Sequence, residues 1–223
     1  MTKQAIIFGS IGTIVETSDL QRAAFNRAFE EADIDWHWSR DDYREMLKSS
    51  GGRQRITNYA EKTGVDVDAY DLHTRKTAIF NKMMEDECLA PRPGVMQLIR
   101  FAKDEGMKVG FATTTSSNNI EAMFVSLNDA LHRSTFDFVG DNEAVTATKP
   151  DPEIYHCTMT ALGVSAAQSL AIEDTAISMQ AALDAGIDCV GFPGAYSDAN
   201  EFNDALRVID SVEPDKLPFL SKA

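Results

Sequence analysis

"QAIIFGSIGT", residues 4–13, decides how the rest of the chain is read. Four consecutive apolar residues, from Ala5 to Phe8, have strand length and run directly into a turn carrying glycine at positions 9 and 12. A run that is apolar on both sides of the pleat belongs to a strand buried on both faces, as in the middle of a parallel sheet. Similar runs recur at "KVGFATT" (108–114), "FDFVG" (136–140), "SLAIED" (169–174) and "DCVGFPG" (188–194). Helical patterns lie between them. "GVMQLIRFAKDEG" (94–106) places Val95, Leu98, Ile99 and Ala102 on one face and stops at Gly106. "KPDPEIYHCTMTALG" (149–163) offers Pro152 as a first helical residue and stops at Gly163, and "TAISMQAALDAG" (175–186) stops at Gly186. Strands alternating with helices predict an α/β fold, a doubly wound, Rossmann-like parallel sheet with helices on both faces.

Residues 17–89 break the alternation. They hold the helical patterns "LQRAAFNRAFEEA" (20–32), "RDDYREMLKSSG" (40–51) and "AYDLHTRKTAIFNKMMEDE" (69–87), with no strand between them. The expected organisation is a core of residues 1–16 plus 90–223 and a helical cap domain, 17–89, inserted after the first strand. The chain would enter the cap near "VETSD" (15–19) and return through "APRPG" (90–94), where two prolines stiffen the linker. The tail after Pro214 reads as surface packing.

The chain has 223 residues, 43% of them hydrophobic and 25% charged, enough to bury a sizeable core. No apolar run has the length of a membrane span, and the amino terminus lacks a signal-peptide pattern, so a cytoplasmic protein without a membrane partner is expected. A net charge of −14 repels phosphate backbones and argues against nucleic acid as a partner. Cys88, Cys157 and Cys189 are odd in number and far apart, which predicts small packed hydrophobes and not a disulfide framework or a metal knuckle.

In a parallel sheet, ligands bind beyond the carboxyl ends of the strands. The residues collected there are Gly9 to Thr13, the hydroxyl row Thr113 to Ser116, Lys149, and the pair Glu173 and Asp174. Hydroxyls at a strand end with a nearby lysine suit a phosphate group, and two adjacent carboxylates suit Mg²⁺, which takes its other ligands from water and substrate. Threonine rows and Asp-Thr pairs also serve as helix caps, so it is their order on successive strands that points to a site.

With these residues in order, the chain resembles the haloacid dehalogenase superfamily of phosphatases and phosphomutases. Within it, the likeness is to the helical-cap branch of β-phosphoglucomutase and CbbY-like sugar phosphatases. "FGSIGTIVET" (8–17) sits where the family has phenylalanine followed by Asp-x-Asp-Gly-Thr, while "VGFATTTSSNN" (109–119), "KPDPEIY" (149–155) and "AIEDTAISMQAALDAG" (171–186) are similar to its second, third and fourth motifs. In the cap, "SSGGRQRI" (49–56) is similar to a glycine-glycine-basic loop that reaches substrate, and "RKTAIF" (75–80) to a helix bearing a lysine. The resemblance implies that Thr113 holds a phosphoryl oxygen with the Thr114 backbone beside it, and that Lys149 neutralises phosphate charge. It implies that Asp174, supported by Glu173 and the Ile11 carbonyl, holds Mg²⁺. Arg53, Arg55 and Lys76 would contact a second anionic or hydroxylated part of the substrate, and Glu16 would bind substrate or activate water.

The first motif departs from the pattern. The family's nucleophile and its general acid/base are aspartates at the positions of Gly9 and Ile11, and neither residue here can attack phosphorus or carry a proton. Loss of a nucleophile lowers an enzyme's rate by ~10⁶. Ser10 is the nearest nucleophilic side chain, but alternation would aim it away from the pocket if the strand continued that far. Losing a carboxylate at position 9 would weaken Mg²⁺. It would also relieve repulsion of a phosphate dianion by roughly 1 to 4 kcal/mol per charge. The expectation is a binder of a small phosphorylated metabolite or inorganic phosphate with little or no turnover. The alternatives are a Mg²⁺-dependent hydrolase in which Glu173 or Glu16 activates water, and a non-catalytic scaffold.

Overall fold

The structure, a computed structural model, describes residues 2–48, 51–217 and 220. Among them, six parallel strands form one sheet in the order β3-β2-β1-β4-β5-β6. These are β1 (Ala5–Phe8), β2 (Lys108–Ala112), β3 (Phe138–Gly140), β4 (Ser169–Glu173), β5 (Asp188–Gly191) and β6 (Arg207–Val208). The two neighbours of β1 are β2 and β4, with Phe8 level with Phe111 on one side and Ile172 on the other. The opening stretch is therefore the centre of the sheet, and its turn lies between the ends of the strands that carry the threonine row and the acid pair.

Strand alternation divides the core in two. Ile6, Phe8, Val109, Phe111, Leu170 and Ile172 face one layer with helices α6 (Val95–Asp104) and α7 (Ser117–Ser126). Ala5, Ile7, Ala112 and Ala171 face the other, with α8 (Glu153–Leu162) and α9 (Ala176–Asp184). The small residues on that second face let α8 approach closely. A Cβ on Gly110 would stand 3.0 Å from both Thr158 and Leu162.

Between β1 and β2 the chain forms a one-turn helix α1 (Ile11–Ile14), then α2 (Ser18–Glu31), α3 (Arg40–Met46), α4 (Gly52–Thr63) and α5 (Ala69–Asp86). The last four share an aromatic core in which Trp38 lies 4.7 Å from Phe25 and 4.8 Å from Phe29, centroid to centroid. Such pairs add about 0.5–1.5 kcal/mol each to the burial of their area. Ser39 and Asp42 cap α3 reciprocally, and Asp68 caps α5. A smaller cluster joins Ala24, Phe80 and Met84 of this insertion to Ala122 on α7.

Four expectations are corrected. The glycine-glycine-basic segment is a helix and not a loop: Gly51, at φ 89°, is followed by α4, which carries Arg53 and Arg55, while Ser49 and Ser50 lie outside the described residues. Pro152 is the cap of α8, one residue before its first turn. The tail is core, because Leu217 and Leu220 are buried against the sheet layer of α6. Cys88 is exposed and Cys157 half-buried, so only Cys189 packs as a buried hydrophobe. Among the described residues no helix is long and apolar enough to cross a membrane.

Candidate functional site

The strand β1 stops at Phe8, and this reverses the expectation for Ser10. Alternation no longer applies beyond that point, and Ser10 Oγ donates to Asp174 Oδ1 at 2.6 Å. Thr13 Oγ1 closes the turn by donating to the Ser10 carbonyl at 2.7 Å. Ile11 is buried and belongs to the hydrophobic layer of α6 and α7. Its carbonyl accepts the Val15 N–H at 2.9 Å at the end of this one-turn helix.

Position 9 is not an open vacancy. A Cβ built there would run into the Glu173 carboxyl group and the Tyr155 hydroxyl, so two side chains from β4 and α8 fill the space that an aspartate would need. Glu173 Oε1 accepts from Lys149 Nζ at 2.5 Å and from the Tyr155 hydroxyl. Lys149 Nζ also donates to the Gly9 carbonyl, and both partners of the ion pair are almost fully buried. The relief of repulsion expected from the absence of two acids is thus partly offset, because a carboxylate from the neighbouring strand occupies the space beside position 9. Burial pushes the Glu173 carboxyl above the usual carboxylate range, with Lys149 opposing the shift. Asp174 is also pushed up by burial, with the Ser10 hydroxyl opposing.

Whether these residues suit a magnesium ion turns on Glu173 Oε2. That oxygen is buried and without a hydrogen-bond partner among the described residues, which a carboxylate tolerates poorly. Two adjacent carboxylates, one with an unsatisfied oxygen, fit Mg²⁺ bound through one or two protein acids. Among the described residues no three His, Cys, Asp or Glu side chains group as a metal site.

Thr113 is buried at the end of β2, where its hydroxyl accepts the Thr115 N–H at 3.3 Å, and Thr114 beside it is half-buried. Ser116 and Thr175 act as caps of α7 and α9. Glu16 is spent on backbone: it accepts from Ser18 N–H at 2.8 Å and from Ala195 N–H at 2.7 Å.

The basic residues of the insertion come together around a residue that the sequence reading passed over. His73 on α5 is half-buried, and its pKa falls to about 4 through burial and the positive fields of Lys76, Arg55 and Arg53. Gly52 makes room for it, since a Cβ there would lie 2.6 Å from His73 Nε2. Lys76 is buried, donates to Gln21 Oε1 and lies 4.7 Å from the Phe25 ring and 4.6 Å from the Phe80 ring. Burial, with Arg55 nearby, brings its pKa down to about 7. Arg55 lies over the Tyr43 ring at 5.8 Å, and Arg53 is exposed. The signal for His73 was its spacing, three residues before Lys76 on one helix.

Comparison with known proteins bears on the family and the fold. Residues 6–192 match the family described as haloacid dehalogenase-like hydrolase. The protein CbbY of Cereibacter sphaeroides is 36% identical over 211 residues, covering 93% of this chain and 92% of that protein. A crystal structure of CbbY from Rhodobacter sphaeroides in complex with phosphate superposes with a TM-score of 0.86 at 36% identity, covering 95% of each chain. A mutant of the same protein in complex with xylulose-(1,5)bisphosphate gives 0.84 at 35% identity, again covering 95% of each. The β-phosphoglucomutase of Clostridium difficile, 20% identical with a TM-score of 0.79 over 98% of this chain and 96% of that one, shares the fold.

Proposed function

Because the chain belongs to the haloacid dehalogenase-like hydrolase family and has Gly9 and Ile11 where that chemistry needs acids, we propose that it binds a phosphorylated small molecule with little or no turnover. The observation that carries this reading is the filling of position 9. With the Glu173 carboxyl and the Tyr155 hydroxyl in that space, no side chain of the β1 turn presents a carboxylate to phosphorus. The phosphate and bisphosphate complexes of CbbY name the ligand class.

In this reading Thr113, the Thr114 backbone and Lys149 receive a phosphate group, and Arg53, Arg55 and Lys76 receive a second anionic part. Lys149 is already paired with Glu173, so the incoming phosphate competes with an internal carboxylate. Asp174 and Glu173, with the Ile11 carbonyl, would hold Mg²⁺, which supplies positive charge to phosphate oxygens when bound. Residue by residue, the chain's own work is to bind and orient, because Ile11 offers no proton to a leaving group.

Calorimetry with inorganic phosphate and xylulose-1,5-bisphosphate, with and without Mg²⁺, tests this reading alongside an assay of phosphate release. Binding at millimolar ligand or below without release is expected. Absence of binding at millimolar ligand would overturn it in favour of a scaffold. Metal-dependent release that disappears in Asp174→Ala would replace it with a hydrolase of altered chemistry.

A further inference from the structure

The loop that follows β5, residues 192–197, is held from four directions. Arg92, on the return linker of the insertion, donates through Nη1 to the Phe192 carbonyl at 2.9 Å and through Nη2 to the Pro193 carbonyl at 2.6 Å. Its guanidinium lies 3.4 Å from the Phe192 ring centroid, and Nη1 also reaches the Gly12 carbonyl at 2.7 Å. Glu16, on the outgoing linker, accepts the Ala195 N–H. The insertion itself takes Tyr196, whose hydroxyl donates to Asp19 Oδ1 at 2.7 Å and accepts from Arg22 Nε at 3.1 Å and Arg40 Nε at 3.2 Å. From the sheet side, Gly194 N–H and Ser197 Oγ donate to the Asp174 carbonyl at 3.1 and 2.7 Å.

Surface loops ordinarily satisfy their polar groups with water and move independently of what lies around them. This one buries Tyr196 while Ala195 before it is exposed and Ser197 after it is half-buried, so the ring is inserted between the two parts of the molecule. A body carried on two linkers can rotate unless its interface holds it. Two of the three groups that hold Tyr196 are exchangeable, because Asp19 and Arg40 are both more than half exposed and can return to water, while Arg22 is mostly buried. The same short loop grips the backbone of Asp174, the residue whose carboxyl meets Ser10.

We propose that residues 192–197 form a strap that couples the position of the helical insertion to the orientation of Asp174, with Tyr196 as its positioning residue. When the insertion is seated, Tyr196 is drawn toward Asp19, and the following residue, Ser197, keeps the Asp174 carbonyl fixed. When the insertion lifts, both ends of the strap loosen together. A ligand that touches the insertion and the strand ends at once then reads a single equilibrium and not two separate ones. The proposal rests on the phosphorylated-ligand reading only for the choice of ligand.

Tyr196→Phe keeps the ring and its packing and removes the hydroxyl with its three hydrogen bonds. Hydrogen exchange on the unliganded protein should then accelerate in two places together, residues 16–22 and Gly194, whose N–H donates to the Asp174 carbonyl, with little change in the thermal midpoint. Affinity for xylulose-1,5-bisphosphate should fall about tenfold, and the losses from Tyr196→Phe and Ser197→Ala should be smaller together than their product. Arg40→Gln, at an exposed position, removes one of the three bonds together with the guanidinium that lies 5.4 Å from the Tyr196 ring centroid, and should give the same pattern more weakly. Acceleration confined to the insertion, or losses that multiply independently, would overturn the coupling and leave Tyr196 as interface packing. If the unsubstituted protein binds neither phosphate nor the bisphosphate, the functional reading fails while the exchange pattern still decides the strap.

Discussion

The ends of β1 and β4 lie side by side in the sheet, yet they have diverged in opposite directions. At the end of β1 the turn carries no acid: Gly9 has no side chain, Ile11 is packed into the core, Thr13 closes the turn, and Ser10 ties it to Asp174. The end of β4 carries two acids, and the carboxyl of one of them, Glu173, fills the space that a side chain at position 9 would need. The contrast teaches that a lost functional group does not leave a hole in a close-packed protein. Here a polar neighbour, Glu173, fills the space, with Lys149 and Tyr155 as its partners.

The strongest way to break this comparison is to put the acids back. Gly9→Asp with Ile11→Asp must displace the Glu173 carboxyl, which is the flexible end of a long side chain, and the Tyr155 hydroxyl, which is the rigid end of a buried ring. We therefore expect the double substitution to work best with Tyr155→Phe. Metal-dependent release of phosphate from xylulose-1,5-bisphosphate should rise by ~10³-fold or more over the unsubstituted protein, since a nucleophile and its proton carrier act as a unit. No rise in a folded variant would mean that the end of β4 has been remodelled too far to serve.

The second test acts on the infill itself. Lys149→Met would leave the Glu173 carboxyl buried without its cation, and breaking one side of such a pair typically destabilises by about 3–5 kcal/mol. Urea unfolding measures this, and the double variant with Glu173→Gln should lose clearly less than Lys149→Met alone. If the two losses simply add, the pair is not the unit that fills position 9.

The sequence made some of this contrast legible and hid the rest, for reasons that lie in particular residues. The sheet could be read because Ala5 to Phe8 and its counterparts are apolar on both faces, a pattern that few other structures tolerate. The two-residue β6 could not, since Arg207 and Val208 are exposed and carry no periodicity. Helix α4 was hidden by its glycine entry and by Ile56 being its one buried residue. The order of Thr113, Lys149, Glu173 and Asp174 along the chain was enough to locate a site. The aim of Ser10 was misjudged because it depends on where a strand ends, and the space that the Glu173 carboxyl fills depends on which neighbouring volume is empty; neither is a property of local sequence. Lys76, by contrast, repeats with Leu72 and Phe80 at intervals of four, so its burial was written on the apolar face of α5.

That buried lysine gives the smallest and most selective test, because it compares the acid-rich strand ends with the basic insertion. Lys76 in the folded protein has a pKa of about 7 against an ordinary 10.5, chiefly because burial penalises the ammonium. Between those values the unfolded chain holds a proton that the folded chain does not, so this group makes stability rise as pH climbs from about 7 toward 10.5, and its destabilising effect is complete below that window. The steepest contribution of one proton is ~1.4 kcal/mol per pH unit. Lys76→Met also removes the bond to Gln21 and the attraction to the two phenylalanine rings, but the apolar part of that loss does not change with pH. The slope is therefore the readout: urea unfolding at pH 7 and pH 8 should show the parent gaining about 1 kcal/mol more than the variant. Equal gains in the two proteins would mean that Gln21 and the aromatic faces keep the ammonium charged, and that the insertion holds its positive charge as firmly as β4 holds its acids.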